Sequence, residues 1–249
     1  MSDDSAVACT GVSKRFQLYE HQTDSLRQLF IRALRRQPVS VSRPYFSVTD
    51  FNLRVHRGES VAIIGQNGSG KSTVLRLITG VYPPTSGSVV TRGRIGAVLE
   101  LGAGFHPELT GSENIGLYGV LLGLSRRELA ARYDSILEFA DIGDFIQTPV
   151  KYYSSGMKAR LAFAVAVCVE HEILILDEVL AVGDEAFRNK CLAHLRAYHA
   201  GGGTLILTTH ELEQVEQLCT RAVWLDHGRQ VMTGDAAKVT AAYRAALGQ

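Results

Sequence analysis

From residue 46 onward, short apolar runs without charge alternate with segments whose apolar residues recur at helical spacing. Val61-Ala62-Ile63-Ile64 precedes a helix predicted from about Lys71. Ile173-Leu174-Ile175-Leu176 precedes one from about Asp184, and Leu205-Ile206-Leu207 precedes Glu211 to Leu218. Such alternation predicts an α/β fold, a mostly parallel sheet covered by helices. Between residues 101 and 170 the strand signal lapses. The periodicity of Ser112 to Leu122 and of Arg126 to Phe139 there predicts an inserted helical subdomain.

Residues 24–44 read as a basic amphipathic insert. Asp24 is placed to cap a helix in which Leu26, Leu29, Phe30, Ala33 and Leu34 share one face, while Arg27, Arg32, Arg35 and Arg36 lie off it. Pro38 and Pro44 then bracket a predicted loop. Packing on the chain's own domain and contact with a membrane surface or a partner fit this helix equally well.

Composition narrows the class of protein. Across 249 residues, 26 Lys and Arg against 25 Asp and Glu leave a formal charge of +1, and 46% of residues are hydrophobic. That balance argues against gross disorder and against a nucleic-acid binder driven by net charge. The apolar run Leu161 to Val169 ends at Glu170-His171-Glu172, far short of the roughly 20 residues of a membrane span. The acidic start Met1-Ser2-Asp3-Asp4 has no apolar core of a secretory signal, so a cytosolic setting is expected. Cys9, Cys168, Cys191 and Cys219 lack the close spacing of a zinc or redox motif and are expected to be reduced, small core residues.

The strongest chemical signal is Gly65-Gln66-Asn67-Gly68-Ser69-Gly70-Lys71-Ser72, a phosphate loop preceded by a buried strand and followed by the helical run Thr73 to Thr79. Its glycines let backbone N–H groups turn toward a polyanion, Lys71 reaches the β and γ phosphates, and Ser72 offers a hydroxyl to Mg²⁺. Asp177 and Glu178 end a strand of four β-formers, where open α/β sheets bind ligands. Successive strand residues face opposite ways, so the two carboxylates divide the work: Asp177 for the Mg²⁺ shell, Glu178 for polarising the attacking water.

Four motifs in order carry a resemblance to a known family: this loop, the Asp177-Glu178 pair, Tyr153-Ser154-Ser155-Gly156-Met157 shortly before that pair, and His210 after a third strand. From about Val7 to Leu225 the chain resembles the ATP-binding subunit of an ABC transporter. The resemblance implies an ABC ATPase core with N-terminal antiparallel strands, residues 1–249 forming one nucleotide-binding domain. It also implies a catalytic set of Lys71, Glu178 and His210, with ATP held by Gly65 to Gly70, Lys71, Ser72 and Thr73. Ser154 and Gly156 match the family's L-S-G-G-Q signature, whereas Tyr153, Ser155 and Met157 depart from it. The signature of one subunit, here Ser154, Ser155 and Gly156 before a helix, faces the γ-phosphate held by another. Glu100 stands where the family has a Gln and is implied as a metal ligand and γ-phosphate sensor. Asp184 resembles the aspartate that meets the opposing subunit, and Phe16, with Tyr19 as the alternative, the aromatic that stacks on adenine.

The stretch Glu100 to Ile115, the Tyr-Ser-Ser-Gly-Met signature and the long insert between Phe16 and Phe46 are similar to the branch that exports O-antigen or teichoic-acid chains on lipid carriers. This implies an ATPase, using ATP and Mg²⁺, that dimerises with a second copy. It would pair with a separate transmembrane permease at the cytoplasmic face of the inner membrane and act on a lipid-linked glycan, with no nucleic-acid partner. Some members carry a C-terminal glycan-binding domain, which does not fit within these 249 residues, either because this member lacks one or because the sequence stops short of it. In the loop after Glu100, Phe105, His106 and Pro107 are expected to be exposed and to touch the permease. A soluble ABC-type ATPase acting on DNA or ribosomes and a nucleotide-binding module without turnover are the alternatives.

Overall fold

The structure, a computed structural model, describes residues 4–19, 42–179 and 183–248. The helix predicted over 24–36 lies outside them. Two sheets organise the rest. The first is antiparallel, in the order β2-β1-β4, from β1 (Ser5–Tyr19), β2 (Ser42–His56) and β4 (Ser86–Thr91). The second runs β5-β6-β7-β3-β8-β9, from β3 (Ser60–Ile64), β5 (Ile95–Val98), β6 (Ile173–Asp177), β7 (Thr204–Thr208), β8 (Arg221–Asp226) and β9 (Arg229–Asp235). All its pairings are parallel except β8 with β9.

The short strands β3, β6 and β7 are apolar without alternation because both faces of this sheet are covered. Val61 and Ile63 point to one core and Ala62 and Ile64 to the other, as the two-residue period of a strand requires. The first core lies between the sheets and encloses α1 (Lys71–Ile78) through Val74, Leu75, Leu77 and Ile78. The second joins the far face of the parallel sheet to α4 (Ser155–Val167), α5 (Glu185–Ala200), α6 (Leu212–Leu218) and α7 (Ala236–Leu247).

The helical subdomain appears where the sequence predicts it. Its helices α2 (Gly111–Leu121) and α3 (Arg126–Ala140) each open with a capping box, Thr110 with Glu113 and Ser125 with Glu128. The apolar run from Leu161 is the interior of α4, buried all round, which is why it shows no amphipathic period. Among the described residues no helix is long and apolar enough to cross a membrane.

Two local expectations are corrected. Pro44 is not in a loop: it lies within β2, paired with Gln17, on an edge strand where proline's missing donor is tolerated. Phe105 is partly buried, its ring edge-on to Tyr118 at 5.2 Å, because the glycine-flanked loop folds back on α2; His106 and Pro107 are exposed. All four cysteines are free; Cys9, Cys191 and Cys219 are buried and Cys168 is half-buried. Burial pushes the Cys9 and Cys191 thiols up to about 12, which removes them as nucleophiles near neutrality.

Candidate active site

β3 delivers the phosphate loop from the middle of the parallel sheet, hydrogen-bonded to β7 on one side and β8 on the other. Gly65 and Gly70 adopt positive φ, +151° and +105°, and neither has room for a side chain. A Cβ on Gly65 would lie 2.2 Å from the Leu225 carbonyl oxygen, and one on Gly70 2.6 Å from that of Ser47. Gly70 is also the N-cap of α1 and gives it no side-chain cap, so the first-turn donors remain for an anion.

Lys71 is buried, 4% exposed, yet its ammonium is satisfied: Nζ donates to Gly65 O at 2.9 Å and Gln66 O at 3.2 Å and lies 3.2 Å from Glu178 Oε1. Ser69 Oγ is buried without a hydrogen-bond partner among the described residues, while the Ser69 carbonyl accepts from Gly228 N–H at 2.9 Å. Ser47 and Thr73 share a hydroxyl hydrogen bond of 2.8 Å, tying β2 to the first turn of α1.

The two carboxylates differ in setting, not through alternation along a strand, since β6 ends at Asp177, but because the chain turns at Glu178. Asp177 Oδ1 accepts from the Thr208 hydroxyl at 2.5 Å. The Glu178 N–H donates to the Thr208 carbonyl at 3.1 Å, and the residue sits at φ +53°, a left-handed conformation that turns the chain sharply as it leaves the strand. Glu178, Lys71, Asn67, Gly68, Gly70, Ser72 and Thr73 line one cavity of about 230 Å³ together with Ser47 and Tyr45. Ser72 offers a hydroxyl and Asp177 a carboxylate of which only Oδ1 is hydrogen-bonded among the described residues. Ser72, on the cavity wall, and Asp177, at the end of β6 and not itself on that wall, are hard oxygen donors of the kind Mg²⁺ takes, a cation that uses few protein ligands and fills its shell with water and phosphate.

Other expected residues lie elsewhere. Ser154 caps α4, its Oγ accepting from Met157 N–H at 3.1 Å. With Ser155, Gly156 and Asp184 it lines a separate cavity of about 640 Å³. Asp184 caps α5, accepting from Phe187 N–H at 2.9 Å, and that bond together with Arg160 holds its carboxyl below the usual range. Glu100 is exposed and paired with Arg76 at 3.0 Å, in a third cavity between α1, β5 and α2, rather than against the phosphate loop. His210 follows β7, is exposed, and lines a cavity of about 500 Å³ with Tyr243 and Arg244.

Phe16 is not among the residues lining the phosphate cavity. Its ring meets Tyr82 edge-on at 5.4 Å, and Lys14 Nζ lies 5.2 Å from its centroid. The side chain of Tyr19 lies outside the described residues. The aromatic beside the phosphate loop is Tyr45, 44% exposed, the cross-strand partner of Phe16. Only the register of two strands that are distant in sequence discloses it.

Comparison with known proteins agrees with this geometry. Residues 48–181 match the family model described as ABC transporter. The chain is 44% identical over 238 residues to the O-antigen export system ATP-binding protein RfbB of Klebsiella pneumoniae, covering 96% of this chain and 97% of that one. It is 53% identical over 196 residues to the RfbB of Myxococcus xanthus, of which it spans 45%. It is 42% identical over 241 residues to the teichoic acids export ATP-binding protein TagH of Bacillus cereus, of which it spans 43%. Among solved structures, the ATP-binding cassette MJ0796 in a dimeric post-hydrolysis state shares the fold, with a TM-score of 0.73 over 92% of this chain and 98% of that one at 23% identity. Likeness in sequence along nearly the whole length, and not in fold alone, makes this chain a member of the ABC transporter family, an ATPase of its polysaccharide-exporter branch.

Proposed function

We propose that the protein hydrolyses ATP between two copies of itself and drives export of a lipid-linked polysaccharide through a separate membrane permease, as a peripheral subunit on the cytoplasmic face of the membrane. The observation that carries the enzymatic part is the meeting of a buried phosphate-loop lysine with a strand-end carboxylate, Lys71 with Glu178 at 3.2 Å, in one cavity. The export part is supported by the names of the relatives, an O-antigen export and a teichoic acids export ATP-binding protein.

Chemically, the loop N–H groups and the start of α1 bind the phosphates, and Lys71 sets its charge against the β and γ groups. Ser72 and Asp177 would hold Mg²⁺, which would supply charge neutralisation there when bound. Glu178 orients the attacking water and accepts its proton. Tyr45, on the wall of the same cavity, offers its ring to the base or sugar.

Two copies are called for because the signature turn and the phosphate loop line different cavities of one chain. The permease surface is assigned to α2, which is apolar around its circumference yet leaves Leu117, Val120 and Leu121 exposed, the last at 61%. That helix borders the groove holding Arg76 and Glu100, so closure around ATP is felt at the permease through α1. The exporter relatives and the place of Glu178 weigh against an ATPase acting on DNA or ribosomes and against a module without turnover.

Glu178→Gln tests the reading. Hydrolysis is expected to fall by about a hundredfold or more, because an amide cannot accept the proton, while ATP binding persists and the variant elutes as an ATP-dependent dimer. Parental turnover would remove Glu178 from the catalytic role.

A further inference from the structure

The wall of the signature cavity contains a charged side chain that the reading above leaves without a task. Arg160 lies in α4 little more than one turn beyond Gly156, and only 18% of its side chain is exposed. Its Nη2 lies 2.5 Å from Asp184 Oδ2. Its Nη1 lies 3.6 Å from Asp141 Oδ2 and donates to the Asp141 carbonyl at 3.4 Å. The guanidinium carbon stands 4.9 Å from the centroid of the Phe187 ring. Three elements therefore meet on one side chain: the C-cap of α3, the signature helix α4, and the N-terminus of α5 with its cap.

This is work for a planar fork. A lysine in the same place carries the charge but cannot face two carboxylates and stack on a ring at once. Removing the guanidinium also leaves Asp141 and Asp184 without the cation they share. Asp184, already fixed by Phe187 N–H, would keep its cap but lose its tie to α4.

We propose that Arg160 is a positioning residue that fastens Asp184 to the Ser154–Gly156 turn and thereby makes the two ATP sites of the dimer dependent on each other. The inference rests on the two-copy reading. In such a pair, each copy's Glu178 serves its own nucleotide and its signature turn serves the other's. Asp184 follows Glu178 by six positions in the chain, and Arg160 follows Gly156 by four. Their ion pair is the side-chain link between the segment that leaves the catalytic strand and the surface that receives the second nucleotide.

The test is the ATP dependence of hydrolysis by the full chain. The parent is expected to titrate with a Hill coefficient approaching 2, the number of sites. Arg160→Ala should bring it to about 1 and lower the maximal rate by about tenfold. Its affinity for a fluorescent ATP analogue, measured on the monomer, should stay within about twofold, since Arg160 is remote from the phosphate loop. Arg160→Lys should recover part of the rate but not the cooperativity. Asp184→Asn should reproduce Arg160→Ala, and the double variant should add nothing further.

Parental cooperativity in Arg160→Ala, additive losses in the double variant, or a dimerising parent with a Hill coefficient of 1 would each overturn the proposal. If Arg160→Ala does not fold, Asp184→Asn decides alone, because it removes only the charge of the more exposed partner, and parental cooperativity there overturns the proposal. Failure of Glu178→Gln to dimerise in ATP would instead defeat the two-copy reading itself.

Discussion

Two glycines show how differently the two halves of the site are constrained. Gly65 in the phosphate loop is demanded by the chain's own fold: a methyl group there meets the Leu225 carbonyl at 2.2 Å, at a φ of +151°. Gly156 in the signature turn is demanded by nothing among the described residues. It lies in the first turn of α4 with ordinary helical φ, and the nearest atom to a Cβ there is Ser154 Oγ at 3.8 Å. In the reading above, a glycine that the described residues leave free answers to something from outside, the second copy's nucleotide. The phosphate loop is thus a finished site, and the signature turn half of one.

The contrast is sharpest in a pair of alanine substitutions. Gly65→Ala should abolish ATP binding and lower the melting temperature by about 5 °C or more, since the strain of at least about 2 kcal/mol falls on the centre of the sheet. Gly156→Ala should leave the melting temperature unchanged or, through up to about 1 kcal/mol of helix propensity, raise it by about 2–4 °C, yet slow hydrolysis by about a hundredfold by keeping the second nucleotide away. Calorimetry beside a phosphate-release assay separates them, and a destabilised Gly156→Ala would erase the distinction.

A smaller effect is expected at the rim of the finished half. Tyr45→Ala should weaken ATP binding by about tenfold, the worth of one aromatic contact, and Tyr45→Phe should restore it. Binding calorimetry reads both, and a Tyr45→Ala variant of parental affinity would return the role to Phe16. The smallest effect lies in the helical subdomain. Glu128, bonded to the Ser125 hydroxyl and N–H and to Arg94, has its carboxyl pulled down to about 2. Its folded value lies below its unfolded one, so its contribution is whole above about pH 4.5 and fades as the pH falls toward 2. Thermal melts from pH 5 to 3 should show Glu128→Gln losing less stability than the parent over that window.

What was legible in the sequence follows the distance over which each feature is encoded. The phosphate loop, the Asp177-Glu178 strand end and the helical subdomain are each written in one contiguous stretch, and their elements stand where the pattern puts them. Features that depend on pairing across the chain were not legible. Tyr45 reaches the phosphate cavity through its register with Phe16, Glu100 is drawn to Arg76 on another element, and Phe105 turns inward onto Tyr118. Arg160 was invisible for the same reason: its meaning lies in Asp141 and Asp184, which two separate helix ends bring to its side.

The strand order has a consequence for synthesis. β3 carries the phosphate loop, but both strands that flank it, β7 and β8, come from the last quarter of the chain. A ribosome that has just finished Ser72 has therefore written the loop without its platform, and the 131 residues from 73 to 203 must be added before Thr204 begins the first flanking strand. At ordinary elongation rates that is on the order of ten seconds. During this interval β3 is an apolar segment with two open edges, and nucleotide has nothing rigid to bind. The site is thus assembled late although it is encoded early, and a nascent chain cannot be rescued by ATP until β7 and β8 have emerged.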